Sequence, residues 1–157
     1  MGKRRRRKTK KAVERFLFSI YVAWMLWLLF GQRMMELGSP AAAGGYNLNL
    51  IPFKTLKMYF DMVQNTESAY LLRHAFINLA GNVVVFIPLG YFLPQLWSRL
   101  RSVIKTGLLS LALIVVVEII QYITGLGSCD IDDLILNMIG VLIGYPAWKM
   151  IVKLRHK

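Results

Sequence analysis

Four apolar runs, each near twenty residues long, constrain this chain more than anything else in it. They span 16–35, 75–96, 103–124 and 134–152. Crossing a hydrocarbon core takes about 20 residues of helix. Lipid offers no hydrogen bonds to the backbone, so runs of this kind fold as helices, which satisfy their own polar groups. The runs fill more than half of the 157 residues and leave little for a separate soluble domain. The expected fold is an all-α membrane protein with four transmembrane helices in one domain, 16–152. A basic arm, 1–15, precedes it, and an outer segment, 36–74, interrupts it.

The charges orient these helices. Of twenty Lys and Arg, nine lie in 1–15, three between the second and third runs (Arg99, Arg101, Lys105) and four in 149–157. The other side holds only Arg33, Lys54, Lys57 and Arg73. Cytoplasmic loops retain basic residues. Sixteen against four therefore places both termini in the cytoplasm of a multi-pass protein of the bacterial cell membrane. Topology thus accounts for the net charge of +12, and nucleic acid is not expected as a partner, because no aromatic or fold signal accompanies Arg4–Arg7. The arm should be drawn to anionic lipid by about 1 kcal/mol per basic residue near the surface. A lone cysteine, Cys129, excludes an intramolecular disulfide. The basic arm and first run resemble a signal peptide, but Ala41-Ala42-Ala43 lies too far downstream for cleavage. The first run is read as a retained, lipid-facing anchor whose one internal polar residue is Ser19.

The outer segment opens with irregular backbone at Gly38-Ser39-Pro40 and Gly44-Gly45. After Pro52, the residues Leu56, Tyr59, Phe60 and Val63 repeat at i, i+3, i+4, i+7, with Lys54, Lys57, Asp61 and Gln64 opposite. This is an amphipathic helix suited to lying on the membrane. An interfacial support is preferred to a lid.

Polar residues inside the other three runs carry the chemistry. Asn78 and Asn82 lie four apart in the second run, with Gly81 beside them to admit a neighbouring backbone and Pro88 to kink the helix and free the Val84 carbonyl. Glu118 and Gln121 share a face of the third. The loop 125–133 holds Asp130, Asp132 and Asp133 and no base, and Asp130 or Asp132 can cap the fourth helix. Asp133 and Asn137 share a face there, which Gly140-x-x-x-Gly144 extends as a close-packing motif. With alternating direction, all of these fall at one depth near the outer face, and His74 stands at the rim. Interhelical hydrogen bonding explains a lone amide, at about 0.6 to 2 kcal/mol each. It explains Glu118 and the acidic loop less well, since the nearest cations are Arg73 and, behind it, Arg33. Intramembrane ionisable groups mark functional sites by default. The ligand-binding candidates are Asn78, Asn82, Glu118, Gln121, Asp130, Asp133 and Asn137. Any catalytic role falls to Glu118, Asp132 and Asp133.

Four blocks in order, Asn47-x-x-x-Ile51-Pro52-Phe53, Asn78-x-x-Gly81-Asn82-x-x-x-Phe86-x-Pro88-x-Gly90, Glu118-x-x-Gln121, and Asp130-x-Asp132-Asp133-x-x-x-Asn137-x-x-Gly140, resemble the VanZ-like family over roughly 47–145. The resemblance implies a small bacterial multispanning membrane protein and a link to resistance against the glycopeptide teicoplanin. An arginine that relatives carry just before the aspartates is replaced here by Gly127-Ser128-Cys129. The leading expectation is a non-enzymatic envelope protein, without cofactor or metal, whose outward polar cavity binds a lipid-linked wall precursor or a lipoglycopeptide. The alternative is an intramembrane enzyme acting on a lipid-linked substrate, with Glu118 as general acid or base and Asp132 and Asp133 holding a hard divalent cation. A proton-coupled flippase using Glu118 is a third reading, for which four spans are few.

Overall fold

The computed structural model describes residues 2–31, 34 and 48–154, with side chains from Lys8 onward. Arg33, Asn47 and the turns expected at 38–45 lie outside the described residues. The first helix, α1 (Gly2–Leu26), runs on into a π-helical turn, Trp27–Gly31. A two-residue strand, β1 (Leu48–Asn49), precedes the outer helix α2 (Lys54–Asn65). The long helix α3 (Ala69–Leu96) and a short 3-10 turn, Ser98–Leu100, lead to α4 (Val103–Thr124). Gly125, in the left-handed region at φ 67°, ends α4, a conformation glycine takes without steric cost. Strand β2 (Cys129–Asp130) then enters α5 (Ile131–Leu154).

Four of these helices are long and apolar enough to cross a membrane: α1 with its π turn, α3, α4 and α5. Large apolar side chains such as Phe76, Ile104, Leu108, Ile123 and Leu142 point outward and are exposed. Such a surface suits lipid rather than water. The basic arm is not a separate appendage, because α1 is continuous from Gly2. Similarly, α3 begins six residues before the apolar run, at Ala69, and α5 three before, at Ile131.

The core forms where α3 and α5 interlock. A Cβ on Gly140 would overlap the Val83 carbonyl oxygen, one on Gly144 the Ile87 carbonyl oxygen, and one on Gly90 the Val141 carbonyl oxygen. Glycines on both helices thus let the two backbones touch. Gly81, expected to admit a neighbour, has none of the described residues within 4 Å of such a Cβ. The close approach is made lower down, by Gly90. Pro88 and Pro94 both sit within an unbroken α3.

The first helix is more than an anchor facing lipid. Tyr21 and Met25 are buried among Val85, Phe86, Leu89 and Leu93 of α3. The Tyr21 hydroxyl donates to the Val85 carbonyl at 2.9 Å, one residue beyond the carbonyl that Pro88 was expected to free. Phe18 packs edge-on against Trp97, with ring centroids 5.5 Å apart. The Ser19 hydroxyl donates within α1, to the Arg15 carbonyl at 3.1 Å, so the amphiphilic tyrosine supplies both the apolar surface and the donor that reach α3.

Candidate functional site

The outer helix is fastened from below by two aspartates. Asp132, wholly buried, accepts from the backbone N–H groups of Phe53 at 2.5 Å, Thr55 at 2.8 Å and Leu56 at 3.1 Å. These are orphan donors at the start of α2, where the helix dipole also favours an anion. Phe53 stands before α2 with φ 64° and makes no side-chain cap of its own. The carboxylate that caps α2 therefore comes from the far end of the chain. Asp130 accepts from the Asn49 side-chain amide at 3.0 Å, from the Thr55 hydroxyl at 2.5 Å and from Asp132 N–H at 2.9 Å. That last bond makes Asp130 the cap of α5. Parallel pairing of β1 with β2, Leu48 opposite Cys129 and Asn49 opposite Asp130, completes the latch.

Behind this latch lies a cavity of about 460 Å³. Its walls include Asn78 and Asn82 from α3, Glu118 and Gln121 from α4, and Asp133 and Asn137 from α5. Asp130 and His74 also line it, so the structure brings all seven sequence-derived ligand-binding candidates around one space. Asp132 is not among its lining residues, and Arg73 is exposed on α3. Since both oxygens of Asp132 already hold the start of α2, the cation pair expected of Asp132 and Asp133 is divided between a latch and a cavity. Among the described residues no group of three His, Cys, Asp or Glu is arranged to hold a metal ion.

Hydrogen bonds set the shape of the walls. Asn82 Nδ2 donates to Asp133 Oδ1 at 2.5 Å, tying α3 to α5. Asn78 Nδ2 donates to the Tyr59 hydroxyl at 2.7 Å, tying α3 to the outer helix. Gln121 Nε2 donates to the Leu29 carbonyl at 3.0 Å in the π turn, tying α4 to the first helix. A π turn often marks a functional position, and this one turns a carbonyl toward the cavity wall. Glu118 is 4% exposed, and its hydrogen bond is a long one, 3.4 Å from Asp130 N–H. Asn137 is 2% exposed, and among the described residues its side-chain carbonyl oxygen has no hydrogen-bond partner. Buried polar atoms are nearly always paired, so that oxygen singles out Asn137.

Sequence reasoning missed Thr55, Tyr59, Leu28 and Leu29, which also line the cavity. Tyr59 was visible only as part of the apolar stripe of α2. The alternation Asn47-Leu48-Asn49-Leu50 is the signal that could have revealed β1, being of strand period. Electrostatically the cavity is acidic: it has three carboxylates and, among the described residues, no Lys or Arg in its lining. Cys129, in the loop beside it, has its thiol pKa raised, first by burial and then by the Glu118 and Asp130 carboxylates.

The chain matches the VanZ/LLP1 family over residues 16–153. It is 27% identical over 134 residues to a protein of Enterococcus faecium named Protein VanZ, an alignment covering 85% of this chain and 72% of that one. No solved structure matches the chain.

Proposed function

The chain belongs to the VanZ/LLP1 family, and from that premise we propose that it is a cell-envelope membrane protein whose outward polar cavity binds a lipid-linked envelope component or a lipoglycopeptide. Both termini lie in the cytoplasm, in keeping with the sixteen-to-four division of basic residues, so the cavity faces out. The observation that carries the reading is the convergence of polar side chains from three membrane helices on one space. Holding Asn82, Glu118 and Asn137 within a hydrocarbon layer is costly. Among the described residues, bonds between helices use some of these groups but leave the Asn137 carbonyl oxygen without a donor and Glu118 with one long bond. A ligand bearing sugar or peptide donors would satisfy both.

The link to teicoplanin carries over as the expected phenotype. Producing the full chain in a teicoplanin-susceptible Gram-positive host should raise the inhibitory concentration of teicoplanin several-fold. The variants N82L and E118Q, present in the membrane at the level of the unaltered protein, should lose that protection. Full protection by both variants would refute binding in the cavity.

A further inference from the structure

A second space adjoins the first. Between α2 and the first half of α3 lies a groove of about 500 Å³, with Leu56, Phe60, Val63 and Leu79 in its walls. Phe60 and Val63 stay exposed, at 61% and 51%, although they belong to the apolar face of α2. On α3, Leu79 lies three residues from Phe76, which is also exposed, and residues three apart are neighbours on a helix surface. The groove therefore runs into the apolar surface that α3 turns outward. Tyr59 belongs to the linings of both groove and cavity, and its hydroxyl accepts from Asn78.

Size and charge define what fits. A volume of about 500 Å³ holds little more than about one turn of a helix about 10 Å across, so the groove suits a hydrocarbon chain rather than a partner helix. Lys57 lines it, and Lys54 stands three residues earlier on α2; both are exposed. Cations in the first turn of a helix oppose its dipole by about 0.3 to 1 kcal/mol each. The two lysines therefore do not serve α2 itself, whose start is already held by Asp132 through three backbone N–H groups. They present positive charge beside the apolar walls. The complementary molecule has a hydrocarbon chain with an anion at its head, and lysine binds phosphate as a point charge.

We propose that the groove is a binding site for one anionic, phosphate-bearing membrane lipid. Its hydrocarbon chain lies between α2 and α3, and its phosphate rests on Lys57. The chain enters beneath the outer helix rather than between the membrane helices. There it lies against Tyr59, so the lipid backs the part of the cavity wall that Tyr59 forms. This goes beyond the cavity reading, because nothing in it depends on what the cavity holds.

The full chain in phosphatidylcholine nanodiscs tests this with three photoreactive lipids that share one diazirine-bearing acyl chain. Phosphatidylglycerol carries an anionic phosphate, phosphatidylcholine a phosphate whose charge is offset, and diacylglycerol no phosphate. Cross-linked residues are located by mass spectrometry. Phosphatidylglycerol should label Leu56, Phe60, Val63 and Leu79 about fivefold more than the other two, the factor that about 1 kcal/mol of attraction per basic residue gives. Ile123, 66% exposed at the end of α4, reports the surrounding bilayer and should be labelled alike by all three. K57Q should reduce phosphatidylglycerol labelling in the groove to the phosphatidylcholine level, and K57R should retain it. V63E, at an exposed position, should abolish groove labelling and leave Ile123 labelling unchanged. Equal groove labelling by all three probes, or labelling indifferent to K57Q, overturns the proposal. So does a phosphatidylglycerol preference as strong at Ile123 as in the groove, which would mark ordinary bilayer contact, or strongest labelling by diacylglycerol, which would mark a chain site without phosphate recognition.

Discussion

Asp132 and Asp133 are neighbours in sequence with different surroundings. Asp132 is buried beneath the start of α2, and Asp133 lines the cavity and takes a bond from Asn82. Removing the first should loosen the outer helix without emptying the cavity of polar groups. D132A leaves three N–H groups without their charged acceptor, a loss of about 2 to 3 kcal/mol on the scale of bonds to charged groups. Trypsin added from outside should then cut at Lys54 or Lys57, with the four membrane helices still intact, whereas the unaltered chain resists. Cys129 gives a second readout at this scale. Only the thiolate reacts with maleimides, and a raised thiol pKa means less thiolate at any given pH. Labelling should be slow near neutrality and climb about tenfold per pH unit until the thiol titrates. E118Q removes one of the carboxylates that raise the thiol, so it should speed labelling at fixed pH. The acids of this loop were legible as a cluster in the sequence, and so was a cap on α5 from either Asp130 or Asp132, which the structure assigns to Asp130. Capping of α2 by Asp132 was not, because its donors lie more than 75 residues away and backbone N–H groups leave no trace in a sequence.

At the scale of helices, the glycines separate close packing from mere presence. Gly140→Ala should cost about 1 to 3 kcal/mol, as an overpacked backbone contact does, because its Cβ would overlap the Val83 carbonyl oxygen. Gly81→Ala should be neutral or stabilising by up to about 1 kcal/mol, since alanine favours the helix and none of the described residues stands nearby. Thermal unfolding in detergent of both variants, side by side, checks the pair. The four membrane helices were readable because length and apolarity are properties of each segment alone. Which face of each helix meets another was readable only in part. The Gly140-x-x-x-Gly144 motif pointed correctly to the α5 contact. Gly81 did not, because a single small residue does not specify a partner, and the matching surface on α3 was centred on Gly90. Similarly, Tyr21 passed for one more apolar residue of the first run until its hydroxyl was seen on the Val85 carbonyl.

For the whole molecule, the central claim is that three membrane helices and an outer helix enclose a polar, water-accessible space open to the exterior. Periodicity and the alternation of charged loops led to the expectation that Asn78, Asn82, Glu118, Gln121, Asp133 and Asn137 share one depth, and all six line one cavity. They did not disclose that the outer helix and the π turn of the first helix supply walls through Thr55, Tyr59, Leu28 and Leu29, since those contacts depend on how separate segments dock. The most direct measurement is labelling of a single cysteine in intact cells. In a Cys129→Ser background, Asn78→Cys should react with a membrane-impermeant thiol reagent added outside, and Val116→Cys, on the exposed apolar face of α4, should not. Labelling of Asn78→Cys only after the inner face is opened, or labelling of neither position from outside, would contradict the account.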